Sequence, residues 1–419
     1  MTDEERLFSV GAARIEITPP LDVPYLSFAP RHQAFAAVHD PLFARALVVS
    51  DGKKRGAVIT AEAIGFINSA LGGDRNFTAE VRAEVERRTG IPGEGVMLTA
   101  AHVHSSPDSI DIRPLRGSAA GRAWLEGLIG KIGSAAEAAL NNTFDAALKI
   151  GQAEFPGYSR NRRGEDCLDD LVTSLLFEAS DRRRRVILVN YACHPVIVQA
   201  QDRISADYVG VMAAKLERDL GGLEACLFLQ GAAGDINPWI DDTRDFGDVE
   251  KMGTALADKI MEIVGTMDSP AHQIEPVRLA TMSSALDLPS RPLPASEEAA
   301  SVAAGDNRMW VGDELAERLL DERQTFPAEI QLLRLGNAVL AGIPGEPFCR
   351  MGKAIREMAA PLTGIPVGYA NGYVGYIVPP ESWARGGYEV DPGPWSKVAP
   401  ESHSLILETL NDLFQKIVT

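Results

Sequence analysis

Two imidazoles two residues apart, His102 and His104, close the run Val96-Met97-Leu98-Thr99-Ala100-Ala101-His102-Val103-His104-Ser105-Ser106-Pro107. Imidazole is the commonest metal ligand and titrates near neutral pH, so such a pair can hold a cation and move protons beside it. Alternate residues of a strand face one side, which would aim both rings at one point at the strand's end. Three more apolar runs end in polar residues and a turn. They lead into Ala192-Cys193-His194-Pro195, Gln230-Gly231-Ala232-Ala233-Gly234-Asp235-Ile236-Asn237-Pro238 and Pro344-Gly345-Glu346-Pro347. Small residues in the second of these turns let a backbone approach a ligand closely. A catalytic zinc takes three protein ligands of the His/His/Glu kind and keeps one position for water. His102, His194 and Glu346 supply that set, His104 is left to carry protons, and hydrolysis of an amide or ester is the natural reaction.

Each residue also has a plainer reading. A histidine at a strand end can simply be hydrogen-bonded, Glu346 can cap a helix, and Asp235 can be a turn aspartate. Tyr369, Tyr373, Tyr376 and Tyr388 can be packing residues. The patch Arg160, Arg162, Arg163 reads as a solvated loop, and Arg182-Arg183-Arg184-Arg185 as a hairpin turn.

Short buried strands are expected at 46–50, 56–60, 96–101, 185–192, 225–229 and 338–342, where apolar runs are bounded by Gly, Asp or Pro. Helical spacing marks 78–88, 123–140, 208–220, 249–264 and 401–418. Such alternation predicts an α/β fold, a layered sandwich of central β-sheets flanked by helices, with the site at strand ends. Neither repeats nor linkers divide the chain, so 1–419 reads as one catalytic domain. Segment 284–324, rich in Ala, Ser, Glu and Pro, reads as a surface excursion or lid, with a loop entering a helix cap at 293–298.

With 58 acidic against 41 basic residues and a net charge of −17, the chain repels phosphate backbones and anionic lipid surfaces. Nucleic acid is therefore excluded as a partner, and a small-molecule substrate is expected. No apolar run approaches the roughly 20 residues of a membrane span, and the acidic start lacks the apolar core of an export signal. Stable membrane insertion is thus not expected. The four cysteines, Cys167, Cys193, Cys226 and Cys349, form no C-x-x-C pair, and those in apolar runs read as buried free thiols, as in a reducing cytoplasm. Assembly into a homo-oligomer is compatible with this composition.

In order along the chain, several motifs together resemble the neutral/alkaline (non-lysosomal) ceramidases. They are Val10-Gly11-Ala12-Ala13-Arg14-Ile15-Glu16-Ile17-Thr18-Pro19-Pro20, Leu98 through Pro107, Asn161-Arg162, Ala192-Cys193-His194-Pro195, the Gly234-Asp235 turn, Pro344-Gly345-Glu346-Pro347-Phe348, Asn371-Gly372-Tyr373-Val374-Gly375-Tyr376, and Tyr388-Glu389. The resemblance implies zinc held by His102, His194, Glu346 and Tyr376, with His104 as proton carrier and Tyr388 and Arg162 facing the oxyanion. It also implies the catalytic domain alone, without that family's C-terminal β-sandwich. Asn237 stands where the family has serine; an amide cannot be a nucleophile, which favours attack by water, but it still donates and accepts hydrogen bonds. Asp235, Asn237, Trp239 and Trp383 are then expected to line the substrate pocket.

The implied function is a zinc-dependent amidohydrolase that cleaves an N-acyl (carboxamide) bond in a substrate less lipidic than ceramide. Two alternatives stand beside it: a metal-dependent hydrolase or lyase acting on a carbohydrate or other polar substrate, and a non-catalytic binding relative of the same fold.

Overall fold

A computed structural model describes residues 7–26, 34–112, 115–241, 243, 245–269, 274–292 and 325–418. Among these, the larger sheet comprises β1 (Phe8–Glu16), β2 (Phe43–Ser50), β3 (Arg55–Ala61), β4 (Val96–Ala100), β5 (Phe144–Glu154), β6 (Leu171–Glu178), β7 (Arg185–Tyr191) and β8 (Leu223–Gln230). Their spatial order is β8-β7-β6-β5-β1-β2-β3-β4. The smaller sheet is β9 (Leu279–Pro289), β10 (Thr325–Leu335), β11 (Ala338–Gly342) and β12 (Thr363–Val367), in that order.

Residue period two decides where each side chain goes. Leu47, Val49, Val186, Leu188, Leu227 and Leu229 face inward and pack with Leu333, Leu340, Ile365 and Val367, so the two sheets share one core. The alternate residues face outward, under helices. Ala46, Val48 and Ile59 meet α1 (Phe77–Thr89) and α2 (Ala119–Asn141). Ile187, Val189, Cys226 and Phe228 meet α3 (Asp207–Asp219) and α4 (Phe246–Met267). Ile330, Leu332, Val339 and Ala341 meet α5 (Cys349–Met358) and α6 (Glu401–Ile417). This is the α/β layered architecture expected from the sequence. Each buried aliphatic side chain adds roughly 1.5–3 kcal/mol, which is why strands covered on both faces read as nearly continuous apolar runs.

Most neighbours are antiparallel, but β3/β4, β7/β8 and β11/β12 are parallel. Each parallel pair encloses a helix, α1, α3 and α5 respectively, because parallel strands need a crossover. The carboxyl ends of these three units converge. Thr60 Oγ1 donates to the Phe228 carbonyl at 2.8 Å, tying β3 to β8 from opposite ends of the large sheet. Thr99 Oγ1 donates to the Gly368 carbonyl at 2.9 Å, and Gly368 N donates to that of Gln230 at 2.9 Å, tying the end of β12 to β4 and β8.

One expectation changes here. Residues 284–289 are no excursion: they complete β9, whose eleven residues pair in unbroken register with β10. The remainder of the proposed lid, 293–324, lies outside the described residues. The arginine run does turn a hairpin, with Arg182 at φ 57° between β6 and β7. All four cysteines are buried free thiols, and no described helix is long and apolar enough to cross a membrane.

Candidate functional site

The two histidines do not converge by strand alternation. β4 ends at Ala100, and His102 sits at φ 66°, in the left-handed region that a β-substituted residue occupies at a cost. That kink brings His104 back over it, with Nε2 of His104 3.0 Å from Nε2 of His102. His194, presented after β7, completes a group whose ligand atoms all lie within 4.8 Å of one another.

The ring orientations are fixed from behind. His102 Nδ1 lies 2.6 Å from the Ile64 carbonyl and His194 Nδ1 lies 3.0 Å from that of Ile236. A carbonyl only accepts, so both protons sit on Nδ1 and both Nε2 atoms keep lone pairs. Glu346 Oε2 lies 3.2 Å from His194 Nε2 and 3.4 Å from His102 Nε2. A tetrahedral zinc ion with bonds of about 2.0–2.1 Å separates its donors by about 3.3 Å, so the spacing of Glu346 Oε2 from each of the two Nε2 atoms fits it. All three residues are buried, whereas His104 is half-buried and faces a cleft.

Electrostatics follow from that burial. Desolvation depresses His102 from its ordinary 6.5 to about 3, with neighbouring His194 adding and Glu346 opposing. Burial alone would raise the Glu346 carboxyl, yet His102, His194 and the Tyr373 hydroxyl hold it at about 2. Burial thus favours the neutral His102 imidazole while Glu346 is kept a charged carboxylate, the states in which these two groups ligate a cation.

Glu346 and Tyr376 belong to a short parallel pair in which they are direct register partners. Tyr376 is buried, which raises its hydroxyl well above the usual range; Arg162 opposes that shift and Glu346 reinforces it. The tyrosines do more than pack. Tyr369 OH donates to Glu346 Oε2 at 3.2 Å and stacks on His102 with centroids 4.0 Å apart, and Tyr373 OH donates to Oε1 at 2.5 Å. Sequence reasoning gave Tyr369 and Tyr373 no part in the site, although Tyr373 lies within the Asn371-Gly372-Tyr373 motif. Asn371 stitches this segment to β4, donating N–H to the Leu98 carbonyl and accepting from Leu98 N.

Beside the donors lies a cleft of ≈ 530 Å³ whose lining includes His104, Arg160, Arg162, Asn237, Tyr376 and Tyr388. Arg162 and Arg163 are not solvated; their side chains are 17% and 8% exposed. Arg162 donates to Glu389 Oε1 at 2.8 Å, the Gly234 carbonyl at 2.8 Å and Asn237 Oδ1 at 3.2 Å. Glu389, which also pairs with Arg163, is a positioning group that the sequence reading left without a role. Tyr388 is partly exposed and stacks on Trp395 with centroids 5.0 Å apart.

Three expected pocket residues stand elsewhere. Asp235 is buried and accepts from Cys349 N and Asn161 Nδ2, both at 2.7 Å, so it clamps the Arg162 loop to the Glu346 segment. Its turn comes close to protein, since a Cβ on Gly234 would meet the Glu346 carbonyl at 2.7 Å. Trp239 is 65% exposed and Trp383 packs under Arg291, and neither lines the cleft. Asn237 does line it, donating to Asp241 at 2.7 Å while holding Arg162.

No protein-family model matches the chain. A 66-residue stretch is 39% identical to the neutral ceramidase of Mycobacterium tuberculosis, covering 14% of this chain and 10% of that protein. Among solved structures, the neutral ceramidase from Pseudomonas aeruginosa superposes with a TM-score of 0.77 at 19% identity, covering 98% of this chain and 75% of that one. A ceramidase complexed with C2 gives 0.78 at 17% identity, covering 99% and 76%. Over nearly its whole length the chain therefore has the fold of the neutral ceramidases.

Proposed function

We propose that this chain is a zinc-dependent hydrolase that cleaves an N-acyl (carboxamide) bond. The observation that carries the reading is that Glu346 Oε2 lies at tetrahedral-donor spacing from both His102 Nε2 and His194 Nε2, beside a cleft lined by Arg162 and Tyr388. His102, His194, Glu346 and Tyr376 would hold the ion. A zinc ion there supplies Lewis acidity and lowers the pKa of a coordinated water.

The remaining steps belong to side chains. His104, the imidazole on the cleft, takes a proton from the attacking water at Nε2 and hands it to the departing amine. Arg162 and Tyr388 donate to the carbonyl oxygen as negative charge gathers on it, and one such donor is worth about 3 kcal/mol of barrier. Asn237 and Glu389 keep the Arg162 guanidinium in place. We place the protein in the cytoplasm, a reading its buried free thiols support.

A second reading, a metal-dependent hydrolase or lyase acting on a carbohydrate or other polar substrate, is favoured by the charged walls of the cleft. One assay separates them: zinc-loaded protein incubated with panels of N-acyl amines and of oligosaccharides. Amine release with unchanged sugars is the expected result. No amine from any amide, at one zinc per chain, overturns the proposal.

A further inference from the structure

We infer that the cleft recognises a carboxylate on the substrate, so that the scissile amide is flanked by an anionic group and not by two hydrocarbon chains. This deepens the amide-hydrolase reading and rests on it for the position of the amide.

Four guanidiniums line the cleft, those of Arg160, Arg162, Arg163 and Arg385. Among the described residues, three carboxylates pair with them: Glu389 between Arg162 and Arg163, Glu165 beside Arg163 and Arg385, and Asp241 beside Arg160. The guanidiniums thus outnumber their ion-paired carboxylates by one, within a chain whose net charge is −17. The lining has one aliphatic side chain, Val196, besides the rings of Tyr376 and Tyr388.

The surplus sits at the exposed end of the cluster. The Arg162 and Arg163 side chains are 17% and 8% exposed and held by several acceptors, whereas Arg160 and Arg385 are 35% and 61% exposed. Arg385 meets Glu165 only at 3.9 Å, beyond hydrogen-bond distance. Arg160 contributes one nitrogen, at 2.8 Å, to Asp241. Each guanidinium carries five N–H donors in a planar fork, the geometry that takes a carboxylate through two parallel bonds. Both backbones are held: Arg160 pairs with Asn237 in a short ladder, and Arg385 N donates to the Ser382 carbonyl. A hydrocarbon chain laid over these groups would strip their water and return no hydrogen bond.

The test uses the ketomethylene analogues of N-octanoylglycine and N-octanoylglycinamide, which lack the scissile nitrogen and differ only in carrying a carboxylate or a neutral carboxamide. Isothermal titration at low salt is expected to show the acid binding about tenfold tighter than the amide. That gap should close in the Arg160→Gln, Arg385→Gln double variant while its zinc content stays at the wild-type level. Arg385→Gln alone, at an exposed position, should narrow the gap about threefold and serves if the double variant does not fold. Equal binding of the two analogues by wild type, or an undiminished gap in the folded variants, overturns the inference. Hydrolysis of N-octanoylglycine itself is scored separately. Charge-selective binding without amine release would sink the amide-hydrolase reading and leave carboxylate recognition standing.

Discussion

Glu346 and Tyr376 face each other across a parallel ladder two residues long, so the carboxylate and the phenol leave the backbone side by side. Three βαβ units deliver their loops to one place, and this small ladder locks two of those loops together. It depends on close backbone approach: Gly375 sits at φ 84°, and a Cβ there would collide with the Trp395 carbonyl. Gly375→Ala therefore combines a left-handed backbone with a clash. Thermal melts should show a loss of about 1–3 kcal/mol, with weakened zinc retention; an unchanged melt and zinc content would show that the ladder does not organise the site.

His102, His194 and Glu346 are the buried donors, and His104 is the one facing the cleft. His102→Ala, His194→Ala and Glu346→Gln should each remove about one equivalent of zinc from the purified protein, as read by elemental analysis. His104→Ala should retain most of the metal and lose turnover. Full zinc in the His194→Ala protein would refute the site.

Tyr373 tests whether the tyrosines tune the carboxylate. Its hydroxyl is the donor to Glu346 Oε1, and Tyr373→Phe leaves a buried charged oxygen without it. Zinc affinity should fall about 10–100-fold, as when outer-shell partners of metal ligands are removed. Competition with a chelator measures this, and wild-type affinity would reduce Tyr373 to a packing residue.

The part of the fold legible in the sequence was the part buried on both faces: β2, β3, β4, β7, β8 and β11 stand as apolar runs. β9 was missed because alternate positions along it, Ser283, Ala285 and Asp287, are exposed, which made it look like loop. His194 and Glu346 were legible because strand-end motifs carry them. The convergence of His102 and His104 was expected for the wrong reason, since strand alternation does not run through a residue at φ 66°. Tyr369 and Glu389 were invisible because their roles depend on contacts with residues far off in sequence, His102 for Tyr369 and Arg162 and Arg163 for Glu389. Asp235 is polar, near the site and buried, but its neighbours are Asn161 and Cys349, which only coordinates reveal.

Tyr388 and Arg162 converge from distant segments, the guanidinium lying 5.8 Å from the phenol ring. If both donate to the oxygen that becomes charged, Tyr388→Phe should lower kcat by about 10²-fold or more with zinc content unchanged. Asn237→Ala, which loosens Arg162 without removing it, should lower kcat by a smaller factor. An unaltered kcat in Tyr388→Phe would remove that hydroxyl from the mechanism.

Acid lability of the metal-free protein follows from the buried donors. His102 has a folded pKa of about 3 against an ordinary 6.5, because burial and His194 disfavour its charged form. Between those values the unfolded chain binds more protons than the folded one, so stability rises with pH across the window. This contribution is fully present above 6.5 and is lost as pH falls through it; Glu346, held at about 2 against an ordinary 4.5, acts in the same direction at lower pH. Asp207 and Asp235 act oppositely, since burial raises them to about 7 and about 6, and their raised affinity favours the folded state as pH falls. A comparison with His102→Gln isolates the histidine. After chelation, the melting midpoint of wild type should drop more steeply from pH 7 to pH 5 than that of His102→Gln. Parallel curves for the two proteins would mean that His102 is free to take up a proton in the folded state.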